Sequence, residues 1–147
     1  MISSQIEMKR ASMSYYDAVD TTTAADACTI LLCARLNLRG AKRLLQSGSL
    51  TSGISALYDS VLFGMHYYIA EHKDCIYADS GDATALFYTL VCAGVFVDQH
   101  AFNRLSLMVE RVLWQKTYAF DANATLFKVE EMLTRLGVMP QESRESH

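Results

Sequence analysis

The sequence is poor in residues that interrupt helices. It contains one proline, Pro140, and seven glycines, and the glycines fall at segment edges or on faces of small residues. No stretch alternates polar and apolar residues for long enough to indicate a strand. Because proline ends helices and alternation with a period of two is typical of strands, these absences favour an all-helical chain.

Further absences bear on where the protein acts. The longest uncharged apolar run, residues 83–97, is shorter than the roughly 20 residues that span a bilayer, so we expect no membrane segment. The first residues lack a basic region followed by an apolar one, which predicts no secretory signal. The four cysteines form no C-x-x-C pair. We expect them to be small core residues of a reduced, cytoplasmic protein, with an intermolecular disulfide as the alternative.

Motifs for common chemistries are missing as well. The chain has no G-x-S-x-G elbow, no phosphate-binding glycine loop and no E-x-x-H pair. His66 and His72 are six positions apart, so on a helix they point about 120° away from each other and do not converge on one ion. The acidic residues at 79–82 lack the ligand spacing of a calcium loop and are interpreted as helix caps. The sequence therefore assigns no catalytic residue, metal or cofactor, and the formal charge of −3 gives no overall attraction to nucleic acid.

The strongest helical pattern covers residues 49–72. Its large apolar residues follow steps of three and four, at Ile54, Leu57, Tyr58, Val61, Leu62, Met65, Tyr68 and Ile69. A second line holds small residues that allow close approach of a neighbour, at Gly53, Ala56, Ser60 and Gly64. A helix that is apolar or small around most of its circumference is contacted on several sides. We therefore place it at the centre of a bundle, with the small residues serving either internal packing or a homodimer.

The remaining segments predict an all-α, up-and-down bundle of four to five helices over residues 20–139. Residues 1–19 are expected to form an N-terminal arm or short helix, and residues 140–147 a polar tail. Gly48 and Gly137 are expected to end helices. Asp82 or Ser80 should cap a third helix over residues 83–96, a fourth should cover residues 101–118, and Asp121 or Asn123 should cap the fifth. Inward positions are predicted at Leu31, Ala34, Leu38, Ala41, Leu45, Phe102, Leu105, Val109, Val112, Leu113, Leu126, Val129, Leu133 and Leu136.

A line of basic residues is the most distinctive polar feature. Between Asp26 and Asp59 every charged residue is positive, at Arg35, Arg39, Lys42 and Arg43, and this spacing places all four on one helical face. The line could contact phosphates or an acidic partner, or it could be a solvated face balanced by acidic residues of another helix, which we favour. Asp59 and His66 form a candidate polar pair in the core, with His66 hydrogen-bonded near Asp59.

The hairpin sequence AKRLLQSGSLTSGISALYDSVLFGMHYYI resembles the HEPN domain family of small helical bundles. The positions that match the family's turn and second helix are Ala41, Leu44, Leu45, Gly48, Ile54, Tyr58, Leu62 and Phe63. A later stretch, ERVLWQKTYAFDANATLFKVEEML, is similar to the family's fourth and last helices, with Arg111 and Tyr118 at the positions where the family often has an arginine and a tyrosine. The resemblance covers about residues 30–137.

The resemblance implies a member that is not a nuclease. Ribonuclease members carry a histidine four to six residues after an arginine, whereas Arg111 is followed by VLWQKT and Arg104 by LSLMVE. We therefore expect a non-catalytic binding or interaction domain, either nucleotide-binding or accessory to a nucleotidyltransferase-type partner. Ligand-binding positions would be Arg35, Arg39, Arg43, Arg111 and Tyr118. A homodimer is expected, and RNA is a further candidate ligand. The alternatives are a ribonuclease with an unusual site at Arg111, Gln115, Lys116 and Tyr118, or a purely structural helical module.

Overall fold

The computed structural model describes residues 27–72, 82–115 and 119–139. Within these ranges the chain forms five helices and no strand, which confirms the all-α class: α1 Ala27–Gln46, α2 Leu50–Glu71, α3 Ala83–Cys92, α4 Ala101–Trp114 and α5 Ala122–Arg135. The predicted N-terminal arm and polar tail lie outside the described residues. None of the helices in the described ranges combines the length and the apolar character needed to cross a bilayer.

Helices α1 and α2 form the antiparallel hairpin predicted from the sequence. Gly48 ends α1 with a φ of +88°, in the left-handed region that glycine adopts without steric cost. The amide of Ser49 then donates to the carbonyl of Leu44 at 2.8 Å, which closes the turn. Just beyond the turn, Gly53 of α2 lies against Leu45 of α1. The two helices remain in contact along their length, so they are the most extensively packed pair of the bundle.

Helix α2 lies at the centre of the fold, as expected. It packs against all four other helices of the described chain, and Ile54, Val61 and Met65 are completely buried. The small residues of α2 contribute to internal packing. Gly53 accommodates Leu45, Ser60 is fully buried, and Gly64 lies beneath a group of C-terminal residues: Leu133, Leu136 and Val138. Each of these sites is filled by side chains of the same chain. Packing within one chain therefore explains these small residues, and they do not require a second protomer.

An aromatic cluster joins α3 and α4 to α2. The ring of Phe102 in α4 stacks on Tyr58 of α2 at 5.3 Å between centroids and on Phe87 of α3 at 5.5 Å. Phe87 also stacks on Phe96, in the connection after α3, at 5.1 Å. Offset stacking at these separations adds to the gain from apolar burial. Phe87 thus anchors the short helix α3 together with the buried side chains of Leu86 and Leu90.

The helix ends follow local capping chemistry. The side chain of Asp82 accepts a hydrogen bond from the amide of Thr84 at 3.2 Å, and that of Asp121 accepts one from Ala124 at 3.0 Å, so both predicted caps are confirmed. Gly137 has a φ of +81° directly after α5, as expected for a helix stop. The predicted end of α3 at residue 96 is wrong. The helix ends at Cys92 because Gly94 takes a φ of +82° and the amide of Val95 bonds back to Leu90.

Three further expectations need correction. Helix α4 ends at Trp114 rather than at residue 118, and residues 116–118 lie outside the described chain. Leu113 is half exposed, because Phe102, Leu105 and Val112 already define the buried face of α4 and Leu113 is turned about 100° away from Val112. The predicted core position of the cysteines is wrong for Cys28 and Cys92, which are exposed, while Cys33 is half-buried and Cys75 lies outside the described residues.

Candidate binding surfaces

The basic line of α1 is divided by the fold into two pairs of residues. Arg35 is half-buried, and its Nε donates a 2.8 Å hydrogen bond to the carbonyl oxygen of Val138. Lys42 forms an ion pair with Glu130 of α5, with 2.7 Å between Nζ and Oε2. This pair matches the interpretation that we favoured, in which acidic residues of another helix balance the line. Arg35 and Lys42 thus connect α1 to the C-terminal part of the bundle.

The surroundings of Arg35 include residues of α2 and of the chain after α5. Tyr67 of α2 lies near it, and the pKa of Tyr67 is raised first by burial and then by the charge of Glu71, while Arg35 opposes the rise. The ring of Tyr67 also lies beside Gly137, directly before Val138. Arg35 therefore lies where α1, α2 and the chain after α5 meet. This position indicates a structural contribution for Arg35 in addition to any role in binding.

Arg39 and Arg43 are the exposed members of the basic line, and two leucines lie in line with them. Leu32 is 55% exposed and Leu36 is 50% exposed. At 100° per residue, positions 32, 36, 39 and 43 fall within about 60° of one another around the helix axis. We name this surface the α1 face: Leu32, Leu36, Arg39 and Arg43. It combines an apolar half with a cationic half, and α1 contains no acidic residue.

The leucines of the α1 face were missed in the sequence analysis, although a signal for them was present. The buried positions of α1 are Ala34, Leu38 and Ala41. Leu32 and Leu36 fall outside this buried line and in register with the arginines. An apolar pair at i and i+4 on the polar side of an amphipathic helix is itself an indication of an interaction surface.

Arg111 lies on a different helix from the α1 face. It is exposed in the last turn of α4, and α4 packs mainly on α2 and α3. Its neighbours along the same face of α4 are Leu107, which is 55% exposed, and Trp114, which is 82% exposed. We name this surface the α4 face: Leu107, Glu110, Arg111 and Trp114. Tyr118, which the sequence pairs with Arg111, lies outside the described residues.

Asp59 and His66 are both half-buried on one face of α2. They are seven positions apart, which corresponds to about 10 Å of helix rise, so they lie about two turns apart. Burial raises the pKa of Asp59 to about 6, because a desolvated carboxylate is disfavoured. Burial lowers the pKa of His66, because the same environment disfavours its charged form. Both groups therefore change charge near or below neutral pH.

The described residues show no group of side chains suited to binding a metal ion. No cluster of three or more histidine, cysteine, aspartate or glutamate side chains is placed there to hold an ion. The carboxyl of Asp82 caps α3, while the other acidic residues of the preceding loop lie outside the described chain. The positively charged and apolar surfaces are thus the features of the described fold that indicate recognition of other molecules.

Comparisons with known proteins give no further guide to these surfaces. No family model, no curated protein and no solved structure matches the chain. The resemblance to HEPN domains stays a prediction that depends on the residues named in the sequence analysis.

Proposed function

We propose that this protein is a non-catalytic, HEPN-like interaction domain that is accessory to a nucleotidyltransferase-type partner and binds it through the α1 face. The observation that carries the proposal is the α1 face itself, with two exposed leucines and two exposed arginines along one line of α1. Arginine is enriched at protein interfaces, and covering solvent-exposed leucines with a partner lowers the free energy of the complex. The partner surface should carry apolar residues beside carboxylates.

Several features favour a protein partner over a free nucleotide. Arg35 and Lys42 already make contacts within the bundle, which leaves Arg39 and Arg43 as the exposed cations of the line. Leu32 and Leu36 contribute nothing to phosphate binding, yet they extend the same surface. The exposed thiols of Cys28 and Cys92 fit a reducing compartment, so we place the complex in the cytoplasm.

Co-expression with a nucleotidyltransferase-type protein encoded by a neighbouring gene tests the proposal. We expect the two proteins to co-purify, and the variant Arg39→Glu/Arg43→Glu to lose the complex, since reversed rim charges slow association and repel carboxylates. Arg104→Glu/Lys128→Glu, which makes the same charge change away from α1, is the matched control. Co-purification that is insensitive to Arg39→Glu/Arg43→Glu would refute the role of the α1 face.

Two assays address the competing functions. A nucleotide that raises the melting temperature of the wild type, but not of Arg39→Glu/Arg43→Glu, would make the surface a nucleotide site instead. Incubation with RNA tests the ribonuclease alternative. Reproducible cleavage that is lost on Arg111→Ala would overturn the non-catalytic assignment.

We propose that the expected homodimer forms through the α4 face. If two copies of α4 pack antiparallel around a two-fold axis between positions 110 and 111, Leu107 of one copy meets Trp114 of the other. Glu110 then meets Arg111, so both the apolar and the charged positions are self-complementary. Trp114 is the only tryptophan of the chain, and its fluorescence therefore reports on this contact directly.

Sedimentation and fluorescence measurements test the dimer together. We expect a dimer whose tryptophan emission shifts to longer wavelength on dilution, as Trp114 becomes exposed to water. Glu110→Arg should give monomers, and Glu110→Arg/Arg111→Glu should restore the dimer because the charge pairs are exchanged. A dimer that persists in Glu110→Arg at the same concentration would place the interface elsewhere.

A further inference from the structure

A cleft separates α4 from α5. Both helices pack on α2 but scarcely on each other, and the space between them has a volume of about 220 Å³. Its floor is formed by the buried side chains of Leu105, Val129 and Met132, and Met108 and Ala124 lie along its sides. The lining is overwhelmingly apolar, although the cleft is half open to solvent.

The mouth of the cleft carries a positive charge. Arg104 of α4 and Lys128 of α5 both border it, and its lining contains no acidic residue. Arg104 forms an ion pair with Asp98, which lies just before α4. The carboxylate of Asp98 also accepts a hydrogen bond from the backbone amide of His100. A second depression continues from the cleft toward Arg135 and Glu131. Lys128 lies 3.8 Å from Glu131 in a loose, exposed pair. The two acidic side chains at the entrance therefore face three basic ones, Arg104, Lys128 and Arg135, and one positive charge remains in excess.

We propose that this cleft binds a small amphipathic anion, with an apolar tail between α4 and α5 and a single carboxylate near Arg104 and Lys128. An apolar cavity of about 150 Å³ is sufficient to bind benzene, and about 220 Å³ corresponds to roughly seven groups the size of a water molecule. A straight carboxylate of about eight carbons matches this size. Met108 and Met132 have unbranched, adaptable side chains that can adjust around such a tail.

The charge arrangement selects the head group of the ligand. The excess positive charge complements one carboxylate, whereas an uncharged head would leave it unbalanced. Thr125 adds a hydroxyl group to the wall, where it already contacts the sulfur of Met108 at 3.5 Å and the carbonyl of Asp121 at 2.9 Å. Because this hydroxyl is engaged within the fold, the apolar tail meets few unsatisfied polar groups in the cleft.

Titration of the full chain with octanoate, followed by calorimetry and by the amide resonances of α4 and α5, tests the proposal. We expect saturable binding of one octanoate per chain, with the largest resonance shifts around Met108 and Val129. Ala124→Phe should abolish binding because the new ring fills the cleft from an exposed position. Ala85→Phe adds the same ring at an exposed position of α3 and should bind octanoate like the wild type.

The head group is tested separately. Lys128→Gln should weaken octanoate binding about two- to five-fold, in line with the modest strength of exposed charge pairs, and 1-octanol should bind more weakly than octanoate. Lys42→Gln removes a partly exposed lysine charge outside the cleft and outside both proposed interfaces, and it is the matched control. Absence of saturable binding, or binding that Ala124→Phe leaves unchanged, would overturn the proposal.

The outcome is independent of the function proposed for the α1 face. Arg39→Glu/Arg43→Glu should retain octanoate binding in full, because these residues do not line the cleft. Ala124→Phe should likewise retain the nucleotidyltransferase-type partner. Failure of either proposal is thus observed without affecting the other.

Discussion

The guanidinium Nε of Arg35 donates a 2.8 Å hydrogen bond to the carbonyl oxygen of Val138, 103 positions later in the chain. This bond joins the first described helix to the residues that follow the last one. Val138 is itself completely buried, and it packs close to Gly64 of the central helix. A residue that the sequence suggests as a ligand contact is therefore also part of the closure of the bundle.

Replacement of Arg35 should destabilise the fold. Arg35→Ala removes a hydrogen bond from a charged donor, and such bonds contribute about 1.5–3 kcal/mol. Because Arg35 is only half-buried, we expect the free energy of unfolding to fall by about 1.5–2 kcal/mol in urea titrations. Arg39→Ala, one turn further along and exposed, should change it by about 0.5 kcal/mol or less. Equal effects of the two substitutions would show that the bond to Val138 contributes little.

Two helical glycines should respond in opposite ways to alanine. Inside a helix, alanine is more stabilising than glycine by about 0.5–1 kcal/mol. At Gly40 a methyl group has no neighbour within 4 Å, so Gly40→Ala should stabilise the protein by this amount. At Gly64 the methyl would lie 3.0 Å from side-chain carbons of both Leu133 and Leu136. Overpacking of this kind costs about 1–3 kcal/mol, and we expect Gly64→Ala to destabilise by about 1 kcal/mol net.

Thermal or urea unfolding of both glycine variants checks this prediction. The intrinsic helix gain is common to the two sites, so the difference between them isolates the contact with α5 and the residues after it. If Gly64→Ala is as stabilising as Gly40→Ala, the side chains of Leu133, Leu136 and Val138 must move aside at almost no cost in free energy.

Asp59 should make stability depend on pH in an unusual direction. Burial raises the pKa of Asp59 from 3.8 to about 6, so between these values the folded state binds more protons than the unfolded state. Its contribution to stability therefore increases as pH falls from about 6 to about 4. The ionised form at neutral pH costs on the order of 2 kcal/mol. Asp59→Asn should thus be more stable than the wild type at pH 7 and nearly equal to it at pH 3.5.

His66 contributes with the opposite sign, so the comparison must be made between variants. Burial lowers the pKa of His66 below its ordinary 6.5, and its contribution to stability is lost as pH falls through this range. The difference in unfolding free energy between Asp59→Asn and wild type, measured at several pH values, cancels the effect of His66 to first approximation. A difference that does not change with pH would contradict the raised pKa of Asp59.

The ion pair between Lys42 and Glu130 should be measurable but weak. Both side chains are partly exposed, at 40% and 30%, and exposed pairs contribute about 0.2–1 kcal/mol. A double-mutant cycle with Lys42→Ala and Glu130→Ala should give a coupling in this range that decreases in 1 M salt. The pair of Lys128 and Glu131 is longer, at 3.8 Å, and more exposed, so its coupling should be smaller. Equal couplings would mean that neither geometry nor exposure decides the energy.

Much of the architecture could be predicted because it depends on local patterns. The steps of three and four in α2 identify Ile54, Val61 and Met65, and all three are completely buried. The caps at Asp82 and Asp121 follow from short-range hydrogen bonding of a side chain to the next turn. The end of α3 was misplaced because the apolar run continues through Val95 and Phe96, which remain buried after Gly94 has turned the chain.

The candidate surfaces were harder to predict from the sequence than the architecture. The basic line is visible as a pattern, but its division depends on tertiary partners: Val138 for Arg35 and Glu130 for Lys42. The cleft between α4 and α5 depends on how far two helices stand apart on α2, a distance that no local pattern specifies. Lys128 and Arg104 have no sequence relationship that would indicate a shared site.

The contact of Gly64 with Leu133, Leu136 and Val138 has a consequence for biosynthesis. During translation, one side of α2 remains without its cover until position 138 has emerged from the ribosome. A nascent chain that stops short of these residues leaves apolar surface of α2 exposed, and exposed apolar surface of this kind promotes aggregation. The bundle therefore closes only after these residues have been synthesised.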